Sequence, residues 1–112
     1  MTLKLTPELL RSVYDMIVQT DTKFWAAMPA SKNLKFAVVK SQAFYAETDG
    51  EVLRVSEAKN GHIDSVIISV AHEMVHVLRQ KKGFSDWDRH GAAFNKMARR
   101  VSKRCGFDPK SF

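Results

Sequence analysis

The sequence lacks the features that mark secreted, disulfide-bonded or membrane-spanning proteins. Its single cysteine, Cys105, permits no internal disulfide and excludes an accessory zinc ribbon, which needs several cysteines. Residues 1–7 show no apolar segment followed by a small-residue cleavage site. No stretch approaches the roughly 20 apolar residues that a membrane span requires. We therefore expect one domain over residues 1–112, monomeric and intracellular (cytoplasmic, nucleoid or nuclear), with no membrane partner.

Acidic residues are scarcer than basic ones, and their distribution limits the choice of metal ligands. The chain has 18 Lys and Arg against 12 Asp and Glu, a net charge of +6. This excess favours anionic partners, although by itself it is weak evidence. No Glu follows Glu73, so a zinc site that takes its last ligand from a downstream Glu is excluded.

The most informative stretch is His72-Glu73-Met74-Val75-His76, an H-E-x-x-H pattern that follows an apolar run. Positions i and i+4 lie one turn apart on the same face of a helix, so the two imidazoles can hold one Zn²⁺. Glu73 lies off that line and is placed to act as general base toward a water whose pKa zinc lowers to about 7. The alternative is that two ordinary histidines share a helix face.

A third ligand must come from elsewhere in the chain. The tight H-x-x-G-x-x-H extension is absent, and the downstream candidates are His90, Asp86, Asp88 and Asp108. We favour His90, because neutral imidazole is a common zinc ligand and His90 opens the next predicted helix. His62 precedes His72 by about 15 Å of helix and is interpreted as a loop residue.

The first half of the chain predicts one helix followed by three strands. Thr6 as N-cap and Pro7 at the first helical position begin a helix that we place over residues 7–27, before Pro29. Residues 36–39, 43–48 and 52–55 have strand character. Asp49-Gly50 between the last two predicts a type I′ hairpin turn. We expect a three-stranded antiparallel meander over about residues 35–56.

The second half predicts two helices. The H-E-x-x-H helix should cover residues 65–82, with Asp64 or Ser65 as N-cap and Gly83 just past its end. The last helix should cover residues 90–105 and end at Gly106. Its apolar arc comprises Phe94, Met97, Ala98, Val101 and Cys105, and its opposite arc comprises Arg89, Lys96, Arg99, Arg100, Lys103 and Arg104. The fold class is therefore α+β.

Several residues have more than one interpretation. The basic face, mainly Lys96, Arg99, Arg100, Lys103 and Arg104, is either a nucleic-acid-binding surface or an ordinary solvated helix face. Asp86 or Asp88 could orient the histidines, and Asp88 could instead cap the last helix. Tyr45, Arg79 and Arg89 are candidates to stabilise an oxyanion. Phe84 and Trp87 are interpreted as packing residues of the loop.

Two of these elements also carry a family resemblance. His72-Glu73-Met74-Val75-His76 and, fourteen positions on, His90-Gly91-Ala92-Ala93-Phe94 resemble the H-E-x-x-H and H-G-x-x-F elements of the SprT-like (Spartan-type) zinc metallopeptidases. The acidic segment 86–89 before His90 is similar in character to the approach to the family's second element. The order of helix, strands and helices agrees over most of the chain.

The resemblance implies a minimal zincin-like protease core. It implies that His72, His76 and His90 hold one zinc ion and that Glu73 is the catalytic carboxylate. The expected activity is zinc-dependent hydrolysis of peptide bonds in a protein or peptide substrate, with the family's link to DNA-associated proteins as a further hypothesis. The alternative is a non-enzymatic, zinc-stabilised nucleic-acid-binding or regulatory module.

Overall fold

A computed structural model describes residues 4–112. The three α-helices and three strands, in chain order, are α1 (Pro7–Thr20), β1 (Lys35–Val39), β2 (Ala46–Thr48), β3 (Val52–Ser56), α2 (Ile63–Lys81) and α3 (Ala92–Cys105). Two short 3-10 helices, Ser31–Asn33 and Pro109–Ser111, follow α1 and α3. The α+β class is confirmed. Within residues 4–112, no helix is both long enough and apolar enough to cross a membrane.

Helix α1 begins as predicted but ends earlier than expected. The Thr6 hydroxyl accepts a hydrogen bond from the Leu9 amide at 3.1 Å, and Pro7 occupies the first turn. The helix stops at Thr20 instead of continuing to residue 27. The Thr20 hydroxyl donates to the Ile17 carbonyl, and the Asp21 carboxylate accepts from the Phe24 amide. Short polar side chains of this kind offer the backbone an alternative to helical bonding.

The sheet is mixed, so the predicted antiparallel meander is wrong. The strand order is β1-β3-β2; β1 runs parallel to β3, and β2 runs antiparallel to it. The central strand β3 carries the fully buried Leu53 and Val55. Leu53 and Val55 are two residues apart and therefore point to the same face of the sheet. Helix α2 packs against β3, and the strand pattern does not reveal which strand a helix will cover. In this strand order β2 lies at an edge of the sheet.

The β2–β3 hairpin forms, but its turn is not type I′. Gly50 has φ 97°, whereas Asp49 does not have a positive φ, which type I′ requires at both central residues. The Asp49 carboxylate instead accepts hydrogen bonds from the Glu51 and Val52 amides. The Gln80 side chain of α2 donates to the Asp49 carbonyl at 3.1 Å and so ties the turn to α2.

Helix α2 is the centre of the fold, packing against α1, α3, β2 and β3. It begins two residues earlier than predicted, and its N-cap is His62 in place of Asp64 or Ser65. Ser65 lies inside the first turn, where its hydroxyl donates a hydrogen bond to the His62 carbonyl at 2.9 Å. Gly83, with φ 84°, follows the helix end as expected.

Helix α3 is amphipathic as predicted, but it begins after His90. Its N-cap is Gly91, with no side-chain cap, so the capping role considered for Asp88 is wrong. Gly106 ends the helix with φ 85°. The predicted apolar arc packs into the core: Phe94, Ala98 and Val101 are buried, and Met97 and Cys105 are partly buried against them.

Candidate metal centre

Three histidines from α2 and the loop that follows it meet at one point. His72 and His76 lie one turn apart on α2, and His90 lies in the α2–α3 loop. The Nε2 atom of His90 is 3.1 Å from that of His72 and 2.9 Å from that of His76. One ligand atom from each residue lies within 4.8 Å of the others, so the three histidines are close enough to bind one metal ion. Sequence reasoning named all three.

Two backbone carbonyls fix the orientation of the α2 histidines. The Nδ1 atom of His72 is 2.9 Å from the Phe112 carbonyl oxygen, and that of His76 is 2.8 Å from the Trp87 carbonyl oxygen. A carbonyl can only accept, so each neutral imidazole carries its hydrogen on Nδ1 and leaves the Nε2 lone pair free. Asp86 and Asp88, which the sequence offered as alternative candidates for orienting the histidines, do not take this role.

Burial keeps the two α2 histidines neutral. The pKa of His72 falls to about 4, chiefly through burial and partly through the charges of His76 and His90, against the opposing effect of the hydrogen bond with the Phe112 carbonyl. Burial also lowers the pKa of His76, against the opposing effect of the Trp87 carbonyl. Neutral imidazole is the form that donates a lone pair to a metal. Both residues are therefore in the ligand-competent state at neutral pH.

The separations between the nitrogens fit a small divalent ion. Two nitrogens bound at about 2.0–2.1 Å in tetrahedral geometry lie roughly 3.3 Å apart. The Nε2 separations of 3.1 and 2.9 Å are close to this value. The same distances also suit a hydrogen bond from a protonated Nε2 of His90, so it is the convergence of three imidazoles, and not repulsion between them, that indicates a metal site.

Aromatic rings enclose the three imidazoles. Phe94 stacks on His76 with ring centroids 4.7 Å apart, and Phe112 lies 5.4 Å from His72. Phe94 is the last residue of the segment His90–Phe94, and its stacking on His76 explains why an aromatic side chain suits this position. Phe112 was not singled out by sequence reasoning, and no local signal marks it apart from its aromatic character.

Glu73 lies beside the histidine cluster and is not one of its members. Its Oε2 atom is 3.9 Å from Nε2 of His72, and the side chain is buried, with the residue 6% exposed. The group of possible ligands contains the three histidines alone. Burial, and secondarily the charge of Glu47, raises the pKa of Glu73 from its ordinary 4.5 to about 8. This carboxyl is poised to exchange a proton.

The buried carboxyl gives the metal-free protein an unusual pH dependence of stability. A carboxyl with a raised folded-state pKa stabilises the fold below pH 4.5, and that contribution is lost as the pH rises through about 8. We expect metal-free wild type to lose roughly 3–5 kcal/mol of unfolding free energy over this range through Glu73. Glu73→Gln should remove that loss, whereas Glu51→Gln, at an exposed turn, should retain it. Urea unfolding of the three proteins at pH 5 and at pH 9 measures this loss. An equal change in unfolding free energy between the two pH values in all three proteins would contradict the prediction.

An ion pair between buried Arg79 and half-exposed Asp86 holds the loop that carries His90. Arg79 is 2% exposed, donates to the Asp86 carboxylate at 2.6 Å and lies 4.8 Å from the Phe84 ring centroid. Asp86 and Phe84 are in the same loop as Trp87 and His90, so this contact helps to position both. Arg79 is thereby committed to Asp86, which argues against its predicted role at an oxyanion.

Two cavities adjoin the histidines. The first, which we call the Glu73 cavity, has a volume of about 370 Å³ and extends toward β2; its lining is Tyr45, Ala46, Ser65, Ile68, Ser69, His72, Glu73, Ser111 and Phe112. The second, the Arg99 groove, has about 360 Å³ and extends toward α3; its lining is His72, His90, Phe94, Asn95, Ala98, Arg99, Pro109, Lys110 and Phe112. Of the residues considered for stabilising an oxyanion, Tyr45 lines the same cavity as Glu73. Arg89 lines neither of these two cavities.

A buried polar network supports the wall of the Glu73 cavity. The Asn60 side chain donates to the carbonyls of Tyr45 and Ser56 and accepts from the Ser69 hydroxyl. It joins the start of β2, the end of β3 and the face of α2 one turn before Glu73. Because the partners of Asn60 lie in three separate elements, no local sequence pattern marks it as part of this network.

The five predicted basic residues of α3, Lys96, Arg99, Arg100, Lys103 and Arg104, are all exposed. Asp21 at the end of α1 neutralises part of this face. Its carboxylate is 2.9 Å from Arg100 Nε and 3.5 Å from Arg104 Nε, and Arg100 also lies over the Phe24 ring. These contacts hold the pKa of Asp21 below its usual range, chiefly through the Arg100 hydrogen bond. The net positive charge of the face is therefore smaller than the sequence suggests.

Comparison of the chain with protein-family models, curated proteins and solved structures gives no significant match. What the site does is therefore inferred from its residues and their geometry.

Proposed function

We propose that the protein is a zinc metallopeptidase. The observation that carries the proposal is the convergence of three histidine Nε2 atoms with the Glu73 carboxylate 3.9 Å from one of them. This is the arrangement that hydrolysis by a metal and a general base requires. The resemblance of residues 72–76 and 90–94 to the SprT-like elements points to the same reaction.

Zinc is the proposed ion because three neutral imidazoles form a donor set typical of catalytic zinc, with a fourth position left for water or substrate. When bound, zinc supplies Lewis-acid chemistry, polarising a carbonyl and lowering the pKa of a water to about 7. His72, His76 and His90 would hold it. The carbonyls of Trp87 and Phe112 keep two of these rings in the required tautomer.

Glu73 is the proposed proton carrier. Its carboxylate accepts a proton from the attacking water, and the same carboxyl then donates that proton to the leaving amine. The water oxygen first bonds to the carbonyl carbon, so that negative charge develops on the carbonyl oxygen. The carbon–nitrogen bond then breaks as the amine nitrogen gains the proton, and no further reactant is needed. A nearby cation lowers the pKa of a carboxyl, so the loaded site favours the ionised base at neutral pH.

The substrate chain is proposed to lie along β2. This strand is at the edge of the sheet and leads from Tyr45 into the wall of the Glu73 cavity. An extended peptide can pair with the free backbone groups of such an edge. The Tyr45 hydroxyl is the proposed donor to the developing oxyanion.

The test is proteolysis of an unfolded protein by the zinc-loaded chain. We expect cleavage that a chelator abolishes and that added zinc restores. Running the assay with and without single-stranded DNA asks whether nucleic acid stimulates the reaction. No cleavage by protein that holds one zinc ion per chain, with or without DNA, would overturn the proposal and favour a zinc-stabilised regulatory module.

Nucleic-acid binding is a second candidate function. One observation favours it: Arg99, Arg100, Lys103 and Arg104 line a single shallow depression on the surface of α3. Clustered cations can neutralise adjacent phosphates and release counterions. The Asp21 contacts reduce this effect for Arg100 and Arg104.

Charge reversal tests this candidate. We expect Arg99→Glu combined with Arg100→Glu to weaken DNA binding by about tenfold or more at low salt and to reduce the salt dependence of the affinity. Fluorescence anisotropy with a labelled oligonucleotide measures both quantities. Glu73→Gln should bind DNA as wild type does. Unchanged affinity in the charge-reversal variant would exclude the basic face as the DNA-binding surface.

A further inference from the structure

The two cavities at the metal centre differ in charge. They share His72 and Phe112, so a peptide that crosses the centre passes from one to the other. In the Glu73 cavity the charged side chain is Glu73 itself, and the other lining residues are apolar, hydroxyl-bearing or His72. The Arg99 groove is instead flanked by two cations, Arg99 and Lys110.

Both cations of the groove are available to a ligand. Arg99 and Lys110 are exposed, and neither forms an ion pair with any residue in 4–112. The neighbouring Arg100, in contrast, is bound to Asp21. The acidic residue closest to Lys110 in sequence is Asp108, whose carboxylate accepts from the Lys110 backbone amide. That contact caps the second 3-10 helix.

The rest of the groove suits a short acidic side chain on an extended peptide. Phe94 and Ala98 are buried beneath it and provide an apolar floor, and Asn95 adds an exposed amide at the rim. Methylene groups can lie on this floor while a carboxylate reaches the cations. Lys110 is also held near the centre, because it belongs to the 3-10 helix that precedes the Phe112 carbonyl bonded to His72.

We propose that the Arg99 groove is a specificity subsite for an acidic side chain of the substrate. The peptidase then selects sequences with Asp or Glu on the His90 side of the scissile bond and an apolar or small polar residue toward Tyr45. This inference deepens the proposed peptidase function and rests on it. Arg99 and Lys110 act as specificity residues that contact substrate away from the reacting atoms.

Binding of matched peptides tests the subsite without turnover. The zinc-loaded Glu73→Gln protein is mixed with a fluorescent peptide that carries acidic residues, or with its Asn/Gln counterpart. We expect the acidic peptide to bind roughly three- to tenfold more tightly at low salt, and the difference to shrink at about 0.5 M salt. Adding Arg99→Gln and Lys110→Gln should abolish the preference.

The matched control removes two charges elsewhere. Lys32 and Lys82 are exposed and line neither cavity, so Lys32→Gln with Lys82→Gln should keep the preference. Three results would overturn the subsite. They are equal affinity for the two peptides, no detectable binding of either peptide, and a preference that survives the Arg99 and Lys110 substitutions. A short oligonucleotide can also be tested as a competitor. If it displaces the labelled acidic peptide at a far lower concentration than unlabelled acidic peptide does, the groove binds nucleic acid and the subsite proposal is overturned.

Cleavage of the same two peptides by wild type separates this inference from the function it rests on. Cleavage of both at equal kcat/KM, with equal binding, supports the peptidase and overturns the subsite. A binding preference that depends on Arg99 and Lys110, in a protein that cleaves neither peptide, supports the subsite and overturns the peptidase.

Discussion

The Glu73→Gln variant is expected to lose peptide cleavage by roughly 10²- to 10⁴-fold while keeping its fold and its zinc. Glutamine fills almost the same volume in this buried position but cannot accept a proton from water. Because Glu73 lies outside the ligand group, the metal should remain bound. The measurement is kcat/KM on an unfolded protein substrate, with the zinc content of each preparation determined alongside.

The control for this variant is Glu51→Gln, which makes the same chemical change in the exposed β2–β3 turn. It should cleave as wild type does. Equal cleavage by wild type and by Glu73→Gln would remove Glu73 from the mechanism and point to a contaminating protease. Loss of zinc from Glu73→Gln would instead mean that the carboxylate is a ligand, which contradicts the role assigned to it here.

The His90→Gln variant is expected to bind zinc at least about 100-fold more weakly, because losing a group that merely orients a ligand already weakens binding by up to about 100-fold. His90 completes the ligand set from an exposed position in the α2–α3 loop, so its replacement leaves the core packed. Competition with a chromophoric chelator measures the affinity, and circular dichroism checks that the fold is retained.

His62→Gln is the matched control, since His62 is an exposed histidine at the N-cap of α2 and outside the ligand group. Its zinc affinity should equal that of wild type. If His90→Gln also binds zinc as wild type does, the third ligand is not His90. One of the alternative donors of the sequence, Asp86, Asp88 or Asp108, would then have to move into the site.

The proximity of His72 and His76 could be predicted from the sequence because it follows from local geometry. His72 and His76 share a helix face through their spacing alone, and Glu73 is displaced from that line by its position. His90 was favoured over Asp86, Asp88 and Asp108 because imidazole is a common zinc ligand and because His90–Phe94 resembles a family element. The ends of α2 before Gly83 and of α3 at Gly106 could also be predicted from local sequence, because glycine adopts positive φ without a steric penalty.

The parts that could not be predicted depend on contacts between distant segments. Strand patterns located the three strands, but which strand takes the centre depends on burial by α2, so the meander was wrong. The carbonyls of Trp87 and Phe112 orient the histidines, and a backbone carbonyl carries no residue-type signal. The pairing of Asp21 with Arg100 joins residues at opposite ends of the chain.

X-ray absorption at the zinc edge, measured on the zinc-loaded protein, reports which atoms surround the metal. We expect three imidazole nitrogens and one further oxygen or nitrogen ligand at about 2.0–2.1 Å, with the same spectrum in Glu73→Gln. A shell with fewer than three imidazoles, a sulfur at about 2.3 Å, or an oxygen ligand that disappears in Glu73→Gln would contradict this expectation.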